Sequence, residues 1–110
     1  MPAILKYISL KPSGIQQYIK VHQQVPSEIV DGIKSVGITK MDIFLHDNHA
    51  VMVLEYPDGL DIDTAMATLA TLPGQAEWEQ FVSQFQECNP EDSSDQKWHP
   101  MSQIFSLLTP

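Results

Sequence analysis

Apolar residues recur along the chain with changing period, and each period predicts one kind of element. Residues 3–10, 38–46 and 49–56 are apolar and rich in strand formers, which is typical of β-strands. Between the first two runs, apolar residues recur at helical spacing, which predicts a helix. The predicted stripe comprises Ile15, Tyr18, Ile19, His22, Val25, Ile29, Ile33 and Val36.

Residues that break or start elements set their boundaries. Pro26 lies inside the long helical stretch, and we expect a kink or short break near Gln24 because proline has no amide hydrogen to donate. Ser13 follows a proline and is the predicted N-cap of that helix. Asp47 and Asn48 join two strand-like runs, so they predict a β-hairpin turn.

The second half of the chain predicts two helices, a surface loop and a last strand. One helix is capped by Asp61 or Asp63, and after a Pro-Gly break the next runs from about residue 75 to residue 87. Residues 88–99 are polar and acidic, so we expect a surface loop there. Residues 101–108 are predicted to form the final strand.

The element order β-α-β-β-α-β predicts a ferredoxin-like α+β fold, in which a four-stranded antiparallel sheet carries helices on one face. The strands are apolar over most of their length, most clearly at residues 51–54. Such strands are hard to reconcile with one solvated face, so we expect a homodimer that packs sheet against sheet. The 110 residues fit a single domain, residues 1–110.

Charge and composition narrow the class of partner. The formal charge of −8, from 14 acidic and 6 basic residues, disfavours binding to nucleic acid or an anionic membrane, which would repel the chain. Cys88 is the single cysteine, so no intrachain disulfide can form. No apolar run approaches the ~20 residues of a membrane span, and from the short apolar run in residues 1–10 we expect no signal peptide. We expect a soluble, cytoplasmic protein with a small-molecule ligand.

The strongest sequence motifs of catalytic and metal sites are absent. The chain contains no glycine-rich phosphate loop, no CxxC or HExxH pattern and no Gly-x-Ser-x-Gly elbow. His46 and His49 flank the predicted hairpin turn, where histidines are more commonly solvated than bound to metal. His99 is expected to lie on the surface.

Tyr18 and His22 are the best candidates for chemistry. They are four residues apart on the inward helical stripe, so their side chains should be neighbours. An imidazole beside a phenol can transfer protons near neutral pH. The simpler interpretation is that both residues fill the interface between helix and sheet, with one hydrogen bond each. Trp78, and likewise Trp98, is either a structural anchor or a platform that stacks on a sugar ring.

Six short motifs occur in a fixed order over nearly the whole chain. They are Tyr18-x-x-x-His22, Glu28, Lys34-Ser35-x-Gly37, Ile43-Phe44-Leu45, Trp78 with Asn89-Pro90, and Ile104-Phe105-x-Leu107. In this combination the chain resembles the L-rhamnose mutarotase family.

The resemblance implies a dimeric α+β barrel that interconverts the α and β anomers of a free deoxysugar by acid–base ring opening. It assigns His22 as the catalytic acid–base group, Tyr18 as its catalytic neighbour on the sugar and Trp78 as a sugar-binding residue. It requires no metal or organic cofactor. The family usually has a tyrosine where Met41 stands and a second tryptophan where Glu79 stands. L-fucose or another 6-deoxy sugar is therefore as good a candidate substrate as L-rhamnose.

Two other functions stay open at this point. The chain could be a dimer that binds a small ligand without turnover. By analogy of fold, it could also be a cofactor-independent monooxygenase-like protein, since one fold hosts many activities. That class would require a large apolar pocket for an aromatic or porphyrin ligand.

Overall fold

The computed structural model describes residues 2–89 and 91–108, and its elements follow the predicted order. The strands and helices are β1 (Ala3–Ser9), α1 (Ile15–Val21), α2 (Ser27–Ser35), β2 (Lys40–His46), β3 (His49–Glu55), α3 (Ile62–Leu69), α4 (Gln75–Ser83), α5 (Ser94–Lys97) and β4 (His99–Met101). The four described strands form one antiparallel sheet in the order β2–β3–β1–β4. This confirms the predicted ferredoxin-like α+β fold.

Alternation along the central strand β3 separates the two faces of the sheet. Ala50, Met52 and Leu54 are buried, whereas the residues between them are only half-buried. The buried set packs in one cluster with Tyr18 of α1 and Val82 of α4. Because successive strand side chains point to opposite faces, the helices cover one face and the hydrophobic core lies beneath them.

The opposite side of the sheet, called the open face here, is an exposed apolar surface. Leu5, Tyr7, Phe44 and Met101 are 38%, 39%, 61% and 47% exposed. The register places Tyr7 and Phe44 on either side of Val51, and Leu5 beside Met101, so these side chains share one face. The apolar character of these strands is the reason why the sequence predicted a second copy of the chain against this face.

The break in the first helical segment is where the sequence predicted it. α1 ends at Val21, a 3₁₀ turn covers His22–Gln24, and Val25 is extended with φ −66° and ψ 131°. A residue before proline is pushed into this extended region by the proline ring, so Pro26 explains the break. α2 then begins at Ser27.

Other boundaries differ from the predictions. Ser13 lies inside a 3₁₀ turn and caps nothing, since Gly14 precedes α1 without a side-chain cap. Asp61 is the N-cap of α3 and accepts hydrogen bonds from two following amides. α4 ends at Ser83, four residues before the predicted end. Within the described residues, the helices include none long and apolar enough to cross a bilayer.

The prediction for the C-terminal quarter was wrong in two respects. Lys97 and Trp98, placed by prediction in a surface loop, are each 6% exposed. The last strand is the short β4, and residues 102–108 form no strand. The predicted strand at residues 101–108 did not form, because residues with strand propensity form a strand only where a neighbouring strand offers backbone hydrogen-bond partners.

Gly14 permits the close approach of α1 to the chain after α4. A Cβ added at Gly14 would lie 3.1 Å from both Cα and Cβ of Phe85. We predict that Gly14→Ala lowers the free energy of unfolding by about 1–3 kcal/mol because the backbone of Phe85 must move. Urea denaturation monitored by circular dichroism measures this change.

Gly32→Ala is the matched control. A Cβ at Gly32 would meet only leucine side chains, at 3.4 and 3.7 Å, and Gly32 lies inside α2. We expect this variant to be as stable as the wild type or to gain up to about 1 kcal/mol from alanine's helix propensity. Equal destabilisation by both substitutions would contradict the packing role of Gly14.

Candidate active site

The residues of α1 place an imidazole beside a phenol, as the spacing predicted. The ring centroids of Tyr18 and His22 are 4.4 Å apart. Tyr18 is 4% exposed, and His22 is half-buried at the C-terminal end of the helix. Both side chains line the same cavity.

One hydrogen bond orients the His22 ring. Its Nδ1 atom lies 2.8 Å from the backbone carbonyl oxygen of Tyr18. Since a carbonyl oxygen only accepts, Nδ1 carries the proton and donates it in this bond. In the neutral ring, Nε2 then keeps the lone pair. The helix end therefore presents an imidazole with one nitrogen occupied and the other available as a base.

The Tyr18 hydroxyl accepts a hydrogen bond from a residue that is 68 positions later in the chain. The side-chain amide of Gln86 donates to it over 3.3 Å, so the phenol keeps its own proton for a further acceptor. Burial raises the pKa of Tyr18, and the Gln86 hydrogen bond opposes that shift. The raised pKa extends to higher pH the range over which the phenol stays protonated.

Sequence reasoning missed Gln86. It lies just beyond α4, is 3% exposed and forms an isolated β-bridge with Leu10. The neighbouring amide of Glu87 donates to the carbonyl of Ser9 over 2.8 Å. This pairing with the end of β1 fixes Gln86 beneath Tyr18. A single glutamine in a polar stretch gives no sequence signal for such a contact.

Trp78 is brought to the pair by α4. Its ring lies 5.6 Å from His22 in an edge-on arrangement and 6.0 Å from Phe81. Trp78 is half-buried and lines the cavity. Phe81 is 44% exposed, so the apolar side chains of this helix are only partly buried. The structure thus unites three site candidates, Tyr18, His22 and Trp78.

The cavity lies between the helices and the inner face of the sheet and has a volume of about 980 Å³. A cavity of this order can enclose a monosaccharide with water. Its lining combines apolar core residues such as Met52 with polar groups, among them Gln86, Glu79 and Lys97. Lys97 and Glu79 were not identified as candidates from the sequence.

The remaining histidines lie outside this cavity. His46 and His49 are paired across the hairpin, and the imidazole of His49 is 3.3 Å from the Ser9 hydroxyl. His99 is exposed and packs on the ring of Tyr7 at 5.1 Å. Within residues 2–89 and 91–108, no three His, Cys, Asp or Glu side chains are grouped to hold a metal ion.

Comparison with known proteins connects this geometry to a family. The family model described as L-rhamnose mutarotase matches residues 4–107, nearly the entire chain. The chain belongs to the L-rhamnose mutarotase family. A UPF0734 protein of Dictyostelium discoideum is 34% identical over 98 residues, which cover 84% of this chain and 78% of that protein.

Solved structures with a fold similar to that of this mutarotase-family chain include a mutarotase and a monooxygenase. The crystal structure of an L-rhamnose mutarotase from Formosa agariphila gives a TM-score of 0.76 at 17% identity, over 97% of this chain and 99% of that one. An antibiotic biosynthesis monooxygenase gives 0.57 at 16% identity, over 81% and 90% of the two chains. At these identities the likeness establishes the fold.

Burial of Tyr18 predicts a pH dependence of stability. Its pKa in the folded protein is raised above the ordinary value of 10.0, so the unfolded chain ionises first as pH rises. The stability conferred by the neutral phenol is complete below about pH 10 and is lost as pH rises through the folded pKa. We expect Tyr18→Phe to show a smaller loss between about pH 9 and about pH 11 in urea denaturation.

Tyr56→Phe serves as the control, because Tyr56 lies just beyond the end of β3 and does not line the cavity. This variant should keep the wild-type loss of stability in the alkaline range. If Tyr18→Phe lost free energy of unfolding with pH as steeply as the wild type, Tyr18 would ionise as freely in the folded protein as in the unfolded chain.

Proposed function

We propose that this protein is a mutarotase, an aldose 1-epimerase that interconverts the α and β anomers of a 6-deoxy sugar such as L-rhamnose or L-fucose. The observation that carries the proposal is the oriented Tyr18–His22 pair in the wall of a cavity of about 980 Å³. Membership of the L-rhamnose mutarotase family supports the reaction class, and the cavity is large enough for a monosaccharide.

In the proposed reaction, His22 moves one proton between two sugar oxygens. Neutral Nε2 removes the proton from the anomeric hydroxyl, O1, and the resulting imidazolium gives a proton to the ring oxygen, O5. The electron pair of the C1–O5 bond moves to O5, so that bond breaks. The electrons left on O1 complete the C1=O1 double bond of the open-chain aldehyde.

Ring closure reverses these steps on the other face of the aldehyde. Rotation about the C1–C2 bond presents the second face of C1 to O5. O5 attacks C1 and returns its proton to Nε2, and the imidazolium then protonates O1 of the opposite anomer. His22 ends each cycle neutral, so one imidazole is sufficient for the proton balance.

Tyr18 and Trp78 are proposed to bind and position the sugar. The hydroxyl of Tyr18 accepts from Gln86 and can donate its own proton to a sugar oxygen next to His22. The raised pKa of Tyr18, caused mainly by burial, favours this donor role over a role as a base. The half-buried indole of Trp78, 5.6 Å from His22, is proposed to pack against the apolar C–H face of the sugar.

We further propose that two copies associate through their open faces. Contiguous apolar patches on a protein surface mark interaction sites, and a second copy presents the same surface in a symmetric pair. The segment after β4 adds apolar side chains that nothing in one chain covers, with Ile104, Leu107 and Leu108 at 96%, 82% and 92% exposure. Pairing of two open faces would bury Phe44 and its neighbours.

The proposed reaction is tested by anomer exchange, measured by NMR saturation transfer with L-rhamnose and L-fucose in parallel. We expect His22→Gln to slow the catalysed exchange by at least about 100-fold, because the base is removed. The variant should stay folded, since the glutamine amide can still donate to the Tyr18 carbonyl. Thermal unfolding of both proteins verifies that point.

His46→Gln is the matched control, because the side chain of His46 is 90% exposed and lies outside the cavity. It should exchange both sugars at the wild-type rate. Wild-type protein that accelerates neither sugar would overturn the mutarotase proposal. If it nevertheless binds a sugar, a non-catalytic binding protein becomes the favoured function.

The proposed dimer is tested by Phe44→Lys, which places a charge on the open face at the edge strand β2. Light scattering after size exclusion should give two chain masses for the wild type and one for the variant, since a buried unpaired ammonium is costly. Ile19→Lys is the control, because Ile19 is 38% exposed on α1, away from the open face. A monomeric wild type would contradict this part of the proposal.

A further inference from the structure

Lys97 is a charged side chain in an unusual environment. It ends the short helix α5, is only 6% exposed and lines the same cavity as Tyr18 and His22. Lysine is rarely buried to this extent without a partner, because removing an ammonium from water is costly. The position therefore requires an explanation.

Within the part of the chain that the structure describes, no hydrogen bond or ion pair reaches the Lys97 ammonium. Among the same residues, no side-chain nitrogen or oxygen is both sealed from solvent and without a partner. The ammonium thus keeps some access to solvent, and a ligand in the cavity can reach the side chain. The three hydrogen-bond donors of an ammonium are available to that ligand.

The backbone on both sides holds Lys97 in this place. Its amide donates to the carbonyl of Ser93 over 3.0 Å, which closes the turn of α5. The next residue, Trp98, is 6% exposed and belongs to the hydrophobic core. A side chain between a closed turn and a buried tryptophan has little freedom to swing out to solvent.

Lys97 and the Tyr18 hydroxyl are connected through Cys88 and Gln86. Gln86, which donates to that hydroxyl, also accepts a weak bond from the Cys88 thiol over 3.8 Å. Burial raises the pKa of Cys88, and the Lys97 ammonium opposes that shift. The Lys97 ammonium is therefore close enough to the Cys88 thiol to interact with it electrostatically. That thiol bonds to Gln86, which in turn donates to the Tyr18 hydroxyl.

A hydrogen-bond acceptor lines the same cavity. Glu79 accepts from the buried Gln75 amide through Oε2 over 3.1 Å, and among the described residues no bond engages its Oε1 atom. Sugar hydroxyls both donate and accept, so they suit a lining with an ammonium and a carboxylate. A ligand carboxylate only accepts, and Glu79 would repel it.

We propose that Lys97 is a substrate-binding residue whose ammonium donates hydrogen bonds to ring hydroxyl oxygens of an uncharged sugar, while Glu79 accepts from a hydroxyl of the same ligand. The inference rests on the proposed mutarotase function for the class of ligand. It adds the hydroxyl-binding groups, which select a neutral polyol over a sugar acid.

The test compares the wild type with Lys97→Met, which keeps the unbranched side chain as far as Cε and removes the ammonium. NMR titrations with L-rhamnose, L-fucose and D-galacturonate measure binding, and thermal unfolding without sugar measures stability. We expect the variant to bind the neutral sugar about 10- to 100-fold more weakly, the usual loss for a hydrogen bond to a charged group. Its unfolding midpoint without sugar should not fall, because the Lys97 ammonium forms no hydrogen bond or ion pair with the described residues.

Lys20→Met is the matched control, because Lys20 is exposed on α1 and does not line this cavity. It should keep wild-type affinity. Unchanged affinity and a lower midpoint in Lys97→Met would identify a structural lysine and overturn the proposal. Tighter binding of galacturonate than of either neutral sugar would overturn the choice of ligand class.

The two proposals fail in different ways. Wild-type protein that binds a neutral sugar but does not accelerate exchange contradicts the mutarotase function and leaves the binding role of Lys97 supported by the titrations. Wild-type catalysis with equal affinity in Lys97→Met contradicts the role of Lys97 alone. Wild-type protein that binds none of the three ligands overturns both.

Discussion

The geometry of the site depends on where the first helical segment stops. Pro26 holds Val25 in the extended region, at φ −66° and ψ 131°, so the helix cannot continue through it. α1 therefore ends at Val21, and His22 is the residue at the helix end. The carbonyl of Tyr18 accepts from the backbone amide of His22 and also from its imidazole Nδ1, and this second bond fixes which ring nitrogen is free.

The phenol of the pair depends on a second constraint, far away in sequence. Gln86 reaches the Tyr18 hydroxyl across 68 positions, and its bridge to Leu10 ties it to the end of β1. Gly14 permits this approach, because a side chain there would meet Phe85 at 3.1 Å. The fold therefore holds the imidazole through a local bond and the phenol through a long-range one.

The two faces of the sheet have different roles in this arrangement. The inner face forms the core and the floor of the cavity, with Met52 in both. The open face carries exposed apolar side chains such as Phe44, which the proposed second copy would cover. The chain before β4 connects these regions, since Lys97 and Trp98 turn inward just before His99 pairs with Tyr7 at the sheet edge.

The sequence alone determined the order of elements, the helix break at Pro26 and the pairing of Tyr18 with His22, because each follows from local rules of period, proline geometry and helical spacing. Trp78 was predicted as a candidate but could not be placed against His22. Only the tertiary structure decided the roles of Gln86, Glu79 and Lys97, since polar residues acquire a partner or a cavity only through contacts distant in sequence. The short β4 was decided in the same way, because a strand exists only where a neighbouring strand supplies its hydrogen bonds.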